Sequence, residues 1–401
     1  MLRRVFRAFQ YRDFRVLWLG ACTSSIGTWM QKLAQSWLVL QISGSPFLLG
    51  LDAFLGEIPI LLFSLVGGVA ADRTDRRHLL LGSQFVQMSN AFLLSGLIAT
   101  ETVKVWHILT LSFVNGFAQA FGGPAYQALI PSLVKAEDMP NAIALNSIQF
   151  NLARVTGPVL GGLALTKLGA AWCFGLNGIS FIAVIVSLFL LDIRFVPEKT
   201  GESMVGTMRK GFGFIRQKEG MVALIALAFT MTMLGIPMMT FLPVFAKDVF
   251  HKGASTYTVF LSFSGAGAVC GALMVAAIEN TCRMGRIALI QLFMLGTLTT
   301  GFALSKSVTA SCILLFLAGV MLMAVFSLVT SLVQLITNDE MRGRVMSVYN
   351  VAFRGGMPIG NLAVGLLARR FSAPVVLAFN GVLLCALGLY FLFVHRRVAD
   401  L

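Results

Sequence analysis

Apolar runs of about 20 residues, the length a helix needs to cross a bilayer's hydrocarbon core, recur along the chain between short polar breaks. They predict helices at 14–40, 46–71, 79–99, 106–131, 141–168 and 171–191, then at 219–248, 255–279, 285–305, 308–336, 342–368 and 373–394. Strand-like alternation is absent, which excludes a membrane barrel. The longest polar segment, 192–218, divides these helices into two sets of six. The pattern therefore predicts an N-terminal six-helix bundle (1–191), a cytoplasmic linker (192–218) and a C-terminal six-helix bundle (219–401). Within the linker, Met204, Met208, Phe212 and Ile215 recur at helical spacing, with Arg209, Lys210 and Arg216 between them. That alternation suits a short amphipathic helix lying on the inner membrane surface.

Composition sharpens the class. The 401 residues are 57% hydrophobic and 12% charged, with mean hydropathy +0.84. A soluble domain carries about twice that charge, so the chain is an all-α integral membrane protein. Its net charge of +14 would suggest nucleic acid on a soluble chain, but here the cations fall in short loops and report topology instead. With both termini cytoplasmic, one side holds Arg3, Arg4, Arg7, Arg12, Arg15, Arg73, Arg76, Arg77 and most cations of the linker and C-terminus. The other side holds only Lys104, Lys167, Lys247, Lys252, Lys306, Arg369 and Arg370. The six cysteines lack metal or disulfide spacing, so neither a metal nor a cofactor is expected.

Ionisable groups within spans are costly and mark functional positions. Here they are Lys32, Asp52, Glu57, Arg154 and Arg354. Lys32 and Asp52 lie at matching depths and can pair. Glu57 is turned about 140° around the helix from Asp52, so the two do not share one central cavity. Either carboxylate is a candidate to carry a coupled proton; a hydrogen bond to a neighbouring helix is the competing role. Two polar stripes match across the halves: Ser147, Asn151, Arg154, Pro158 and Gly161 in one, Ser347, Asn350, Arg354, Pro358 and Asn361 in the other. Steps of three or four place each stripe on one helix face, to line a cavity or a helix contact. Further cavity-lining candidates are Thr28, Gln35, Asn115, Gln119 and Gln334. The arginines suit an anionic substrate or an ion pair with Asp52 or Glu57. Nearby methionines and aromatics (Trp29, Met30, Met231, Met233, Met238, Met239, Met321, Met323 and Phe326) suit an adaptable apolar site.

The stretch Gly67 to Arg77 reads Gly-Gly-Val-Ala-Ala-Asp-Arg-Thr-Asp-Arg-Arg, and Glu279 and Arg283 echo the spacing of Asp72 and Arg76. The pattern Gly68-x-x-x-Asp72-Arg73-x-x-Arg76-Arg77 resembles the signature loop of the major facilitator superfamily, with Asp75 in place of the usual glycine. Gly157-Pro158-x-x-Gly161-Gly162 resembles that superfamily's antiporter motif. The run from Asn141 through Arg154 to Pro158 is similar to its siderophore and macrolide exporters. Ser112 stands where the drug/proton antiporters carry an arginine. The resemblance covers essentially the whole chain. It implies twelve transmembrane helices in two parallel six-helix repeats, with Asp72, Arg73, Arg76 and Arg77 acting with Glu279, Arg283, Arg342 and Arg344 as a cytoplasmic gate.

The expected function is export of an amphipathic siderophore- or drug-like small molecule by alternating access, coupled to protons, from a bacterial inner membrane. The partners expected are that substrate, protons and membrane lipids, with no nucleic acid, and the chain is expected to be a monomer. Lysophospholipid movement is the alternative, with nutrient import behind it. A transport-dead receptor or scaffold is the reading from a different class. A membrane enzyme is disfavoured: His78, His107, His251 and His395 lie at loops or helix ends and build no catalytic constellation.

Overall fold

The computed structural model describes residues 6–192, 204–276, 283–394 and 396–399, and its regular structure among these is helical throughout. The first set comprises α1 (Arg12–Ser43), α2 (Pro46–Arg73), α3 (Arg76–Ala99), α4 (Val105–Leu129), α5 (Met139–Lys167) and α6 (Ala170–Phe189). The linker contains α7 (Met204–Gln217). Then come α8 (Met221–Gly235), α9 (Ala254–Ala276), α10 (Met284–Leu304), α11 (Val308–Ile336), α12 (Asp339–Phe371) and α13 (Ala373–Leu389). Two of the turns between helices use glycine, with Gly44 and Gly169 at φ of 61° and 92°, where a β-carbon is disfavoured, while Glu101 and Ser372 take φ of 57° and 70° at others.

One expected helix is broken. The pattern predicted an uninterrupted span over 219–248, but α8 stops at Gly235 and continues as short turns, Pro237–Thr240 and Leu242–Val244, then a π turn at Phe245–Val249. Proline supplies no amide hydrogen and crowds the preceding turn, so Pro237 and Pro243 segment a run whose hydropathy is continuous.

Eight helical segments among the described residues are long and apolar enough to cross a membrane. Helices α1, α3, α4 and α5 are not among them, and each carries polar side chains that bond to other helices. The apolar face of α5 is exposed at Ile148, Leu152, Val159 and Leu163, the stripe expected of a helix facing lipid tails.

The chain forms two compact units, Met1–Ser43 with Leu55–Gly201, and Gly44–Phe54 with Glu202–Leu401. In the first, α1 is the central element, packed between α5 and α6. Gly20 faces Ser187 and the carbonyl of Ala183, and Gly27 faces Ser180 and Asn177 on α6. From α5, Gly157 abuts Trp29 and Gly161 abuts Met30. A methyl group at any of these glycines would collide with its neighbour, which is how small residues let membrane helices approach. Polar clasps reinforce the packing. Asn177 Nδ2 donates to Gln31 Oε1 at 2.6 Å, Gln149 Nε2 to Ser25 Oγ at 2.6 Å, and Trp18 Nε1 to the Leu145 carbonyl at 2.9 Å.

In the second unit, Gly356 and Gly360 of α12 abut Phe229, Thr232 and Met233 of α8. Gly267 and Gly271 of α9 meet the Phe316 and Val320 backbone of α11. Gly296 and Gly381 bring α10 against α13. Part of α7 is used inside the protein: Gly211 abuts the Arg344 carbonyl and Ile215 is buried, while Phe212 stays exposed. The side chains of Met204, Met208 and Arg209 lie outside the described residues. The opening turns of α2 group with this unit, where Gly50 abuts Asn361 and Gly365, and Arg369 sits 5.6 Å from the Phe47 ring centre.

The N-terminus is tied down by one carboxylate. Asp138, 1% exposed, accepts from Arg7 Nε at 2.9 Å, Gln10 Nε2 at 2.9 Å and Tyr11 Oη at 2.8 Å. Asn141 Oδ1 accepts from the Ala8 amide at 2.8 Å. Burial, with the hydrogen bond to Asp138 and its charge, raises the Tyr11 phenol above its ordinary pKa, so it stays a donor. The 3₁₀ turn Arg7–Gln10 is thereby stitched across about 130 positions to the start of α5. Asp138→Ala is expected to cost about 2–4 kcal/mol, since it strands these donors. The check is a fall in melting midpoint of the detergent-purified chain, which Asp138→Glu should partly restore.

Candidate functional site

The signature loop divides into two kinds of residue. Arg76 donates through Nε to the Ala71 carbonyl at 3.2 Å and through Nη1 to the Ala128 carbonyl at 3.0 Å, reaching from α2 to the end of α4. Arg77 donates to the Phe189 carbonyl at 3.0 Å and the Leu191 carbonyl at 3.3 Å, at the end of α6, and lies 6.0 Å from the Phe189 ring centre. The last carbonyls of a helix lack intrahelical donors and carry partial negative charge, so each arginine ties a helix end to this loop. Asp75 caps α3, accepting from the Arg77 amide at 2.9 Å and contacting His78 Nδ1 at 2.8 Å. Asp72 is only partly buried, 4.0 Å from Arg76, and Arg73 is exposed.

The remaining gate candidates lie in the second unit. Arg342 pairs with Asp339 of its own first turn at 2.6 Å, and Arg344 donates to Met341 Sδ at 3.4 Å. Arg283 is exposed and precedes α10 with φ of 66°. Glu279 lies outside the described residues, as do Cys282 and His395.

Within the spans of the first unit, Lys32 Nζ lies 3.7 Å from Glu57 Oε1 and 5.4 Å from the Trp29 ring centre. Pairing depths from sequence had matched Lys32 with Asp52; the structure brings it to Glu57, deeper in α2. Asp52 is 6% exposed. Phe150 of α5 meets the Trp29 ring edge-on, centroids 6.0 Å apart. Arg154 stands one turn beyond Phe150 and one turn before Gly157, both of which touch Trp29. Arg154 is partly buried, and among the described residues its guanidinium has no hydrogen bond and no ion pair. Arg354 is exposed.

The cavity-lining candidates separate likewise. Gln35 donates to Ser112 Oγ at 2.9 Å, Asn90 donates to Asn115 Oδ1 at 2.8 Å, and Gln87 donates to Gln119 Oε1 at 3.3 Å, so these join helices within the bundle. Thr28 bonds back to the Ser24 carbonyl and Asn151 to the Ser147 carbonyl, both at 2.9 Å. Asn350 and Gln334 are exposed. Of the helix-five motif, Gly157, Pro158, Gly161 and Gly162 are all buried, and the first and third form the contact with α1. Met238 and Met231 are buried, and Met238 Sδ lies 3.6 Å from Thr299 Oγ1, so these two serve packing. Sequence reasoning missed Gln31, Asn177 and Asp138, whose partners lie 127 to 146 positions away.

Long apolar helices, glycine-mediated contacts and charged side chains at span depth define a polytopic helical membrane protein. The chain belongs to the transmembrane secretion effector family, a major facilitator family whose profile it matches over residues 5–400. It is 24% identical to a staphyloferrin A transporter of Staphylococcus aureus, with 93% of this chain and 94% of that one covered. It is 23% identical to macrolide efflux protein A of Streptococcus pyogenes, covering 94% of each. Against an enterobactin exporter of Salmonella typhimurium it is 25% identical, covering 95% of this chain and 92% of the relative. Among solved structures, a peptide-bound POT family transporter superposes with TM-score 0.77 at 11% identity, covering 96% of each chain, and supports the fold.

Arg77→Ala is expected to cost about 1–3 kcal/mol, because two helix-end carbonyls lose a charged donor. A lower melting midpoint would check this, with Arg77→Lys retaining part of the stability. An unchanged midpoint would remove the clamp from the account.

Proposed function

We propose that this chain is a twelve-span secondary transporter of two parallel six-helix repeats that exports an amphipathic small molecule. It works by alternating access, driven by proton antiport, as a monomer in a bacterial inner membrane with both termini cytoplasmic. The observation that carries this reading is the Lys32–Glu57 ion pair, held between two spans of a chain whose full-length relatives include exporters. A carboxylate and an ammonium paired within the membrane form a unit whose charge a single proton changes. Protonating Glu57 releases Lys32, which gives the carrier two states that differ in local charge. Siderophore- and drug-like cargo follow from the relatives named above.

Asp72 serves in this reading as the inner latch. It is the carboxylate of the signature loop least committed to a helix end, and its proposed partners are the Arg342–Arg344 region at the start of α12. Such a contact favours one state of the cycle and must break in each turnover.

Two experiments test the scheme in everted vesicles carrying the transporter. Glu57→Gln is expected to abolish pH-gradient-driven uptake while substrate counterflow persists, since exchange needs binding but no proton. Loss of both, or retention of gradient-driven uptake, would remove Glu57 from coupling. Asp72→Asn is expected to slow turnover about tenfold, equal to about 1.4 kcal/mol on the barrier, with KM little changed. An unaltered rate would end the latch.

A further inference from the structure

The cations of the first unit's spans differ in how their charge is met. Lys32 has Glu57 at 3.7 Å. Among the described residues Arg154 has neither a carboxylate nor a carbonyl as partner, although it stands partly buried near the middle of α5. A guanidinium carries five donors in a fixed planar fork, and holding it in a membrane span without an acceptor is unfavourable. Its surroundings are specific. Phe150 and Gly157, one turn to either side of it on α5, both contact Trp29, and the Trp29 ring also has the Lys32 ammonium 5.4 Å from its centre. On the same face, Asn151 turns its amide nitrogen back to the Ser147 carbonyl. The charge carried at span depth by Lys32, Glu57 and Arg154 is therefore net positive.

We infer that Arg154 is the subsite for an acidic group on the exported molecule, a carboxylate or comparable oxyanion, whose flat apolar part lies against Trp29 and Phe150. The geometry favours an organic anion over an inorganic one: the donors come from one guanidinium, while aromatic rings supply the adjoining surface. Two parallel N–H···O bonds from the fork match a carboxylate. The site makes no covalent change, and only binding is asked of it. This inference rests on the transport reading for its purpose, but its test does not.

The test uses the purified full chain and a matched trio of probes: 2-naphthoate, its neutral amide and 2-(aminomethyl)naphthalene. Affinities are measured by titration calorimetry in one detergent. The acid is expected to bind about tenfold more tightly than the amide, the scale of a charge-assisted bidentate contact, with the amine weakest. Arg154→Gln is expected to equalise acid and amide, whereas Arg154→Lys keeps a reduced preference. The melting midpoint supplies a second readout. An arginine without partners can be removed at no loss, so Arg154→Gln should hold or raise the midpoint, whereas a structural arginine would lower it. Acid and amide binding the wild-type chain equally, no acid binding, or a preference that survives Arg154→Gln would each overturn the subsite. Intact acid preference in a chain that moves nothing across vesicles would instead overturn the transport reading and leave the subsite standing.

Discussion

Helices surrounded by lipid gain nothing from hiding apolar surface against one another, and that constraint shapes this chain. Association must come from close van der Waals contact and from hydrogen bonds between spans. Glycine therefore stands at several close helix contacts: Gly157 and Gly161 on α1, Gly116 on the Gly56 carbonyl, Gly67 on the Ala120 carbonyl. Where side chains join helices, one partner is often a backbone carbonyl, as with Trp18 on Leu145 and Ser83 on Ala118. These contacts draw their partners from distant sequence, and they hold α1 as the axle of its unit.

The same constraint explains why some of the molecule could be read from its residues and some could not. Apolar run length is a local property, so the helices and their order were legible, as was the signature loop, whose charges sit where two helices meet. The division of labour inside that loop was not. Asp72 and Arg77 look alike as loop charges, yet only Arg77 reaches the end of α6, and the Phe189 and Leu191 carbonyls that receive it carry no sequence mark. Asn115 and Gln119 were expected to line a cavity because polar side chains in spans must avoid lipid. Each meets a side chain of α3, Asn115 accepting from Asn90 and the exposed Gln119 from Gln87. Periodicity tells which face of a helix is polar, and it is silent on whether water or another amide lies opposite.

The run after Gly235 keeps the length and hydropathy of a span, as Met221–Val249, but loses the regular helix that hydropathy alone suggested. Residues 236–249 remain apolar enough to extend the run, but Pro237 and Pro243 lie six apart and each removes an amide donor. The Met233 carbonyl, released by Pro237, lies against Gly360 of α12, and Met238, Phe241 and Phe245 of the interrupted stretch are buried. A membrane helix tolerates such a break where neighbouring protein encloses it, which is the case here.

The two units share a scaffold but not a chemistry. Gly157 and Gly161 bind α5 to α1, and Gly356 and Gly360 bind α12 to α8 through the same spacing, with a proline inside each glycine-bearing helix. Around that shared contact the first unit sets Lys32 and Glu57 on neighbouring helices. The second has no acidic or basic side chain in α8, α9, α11 or α13, while Arg354 of α12 stands 200 positions after Arg154. The glycines, the prolines and one arginine recur across the units, whereas the Lys32–Glu57 pair belongs to the first. Packing tolerates no larger residue at the shared contact, so the glycines persist in both units. A charge in a span is costly, and the ion pair between Lys32 and Glu57 is a feature of the first unit that the shared glycine contacts do not require.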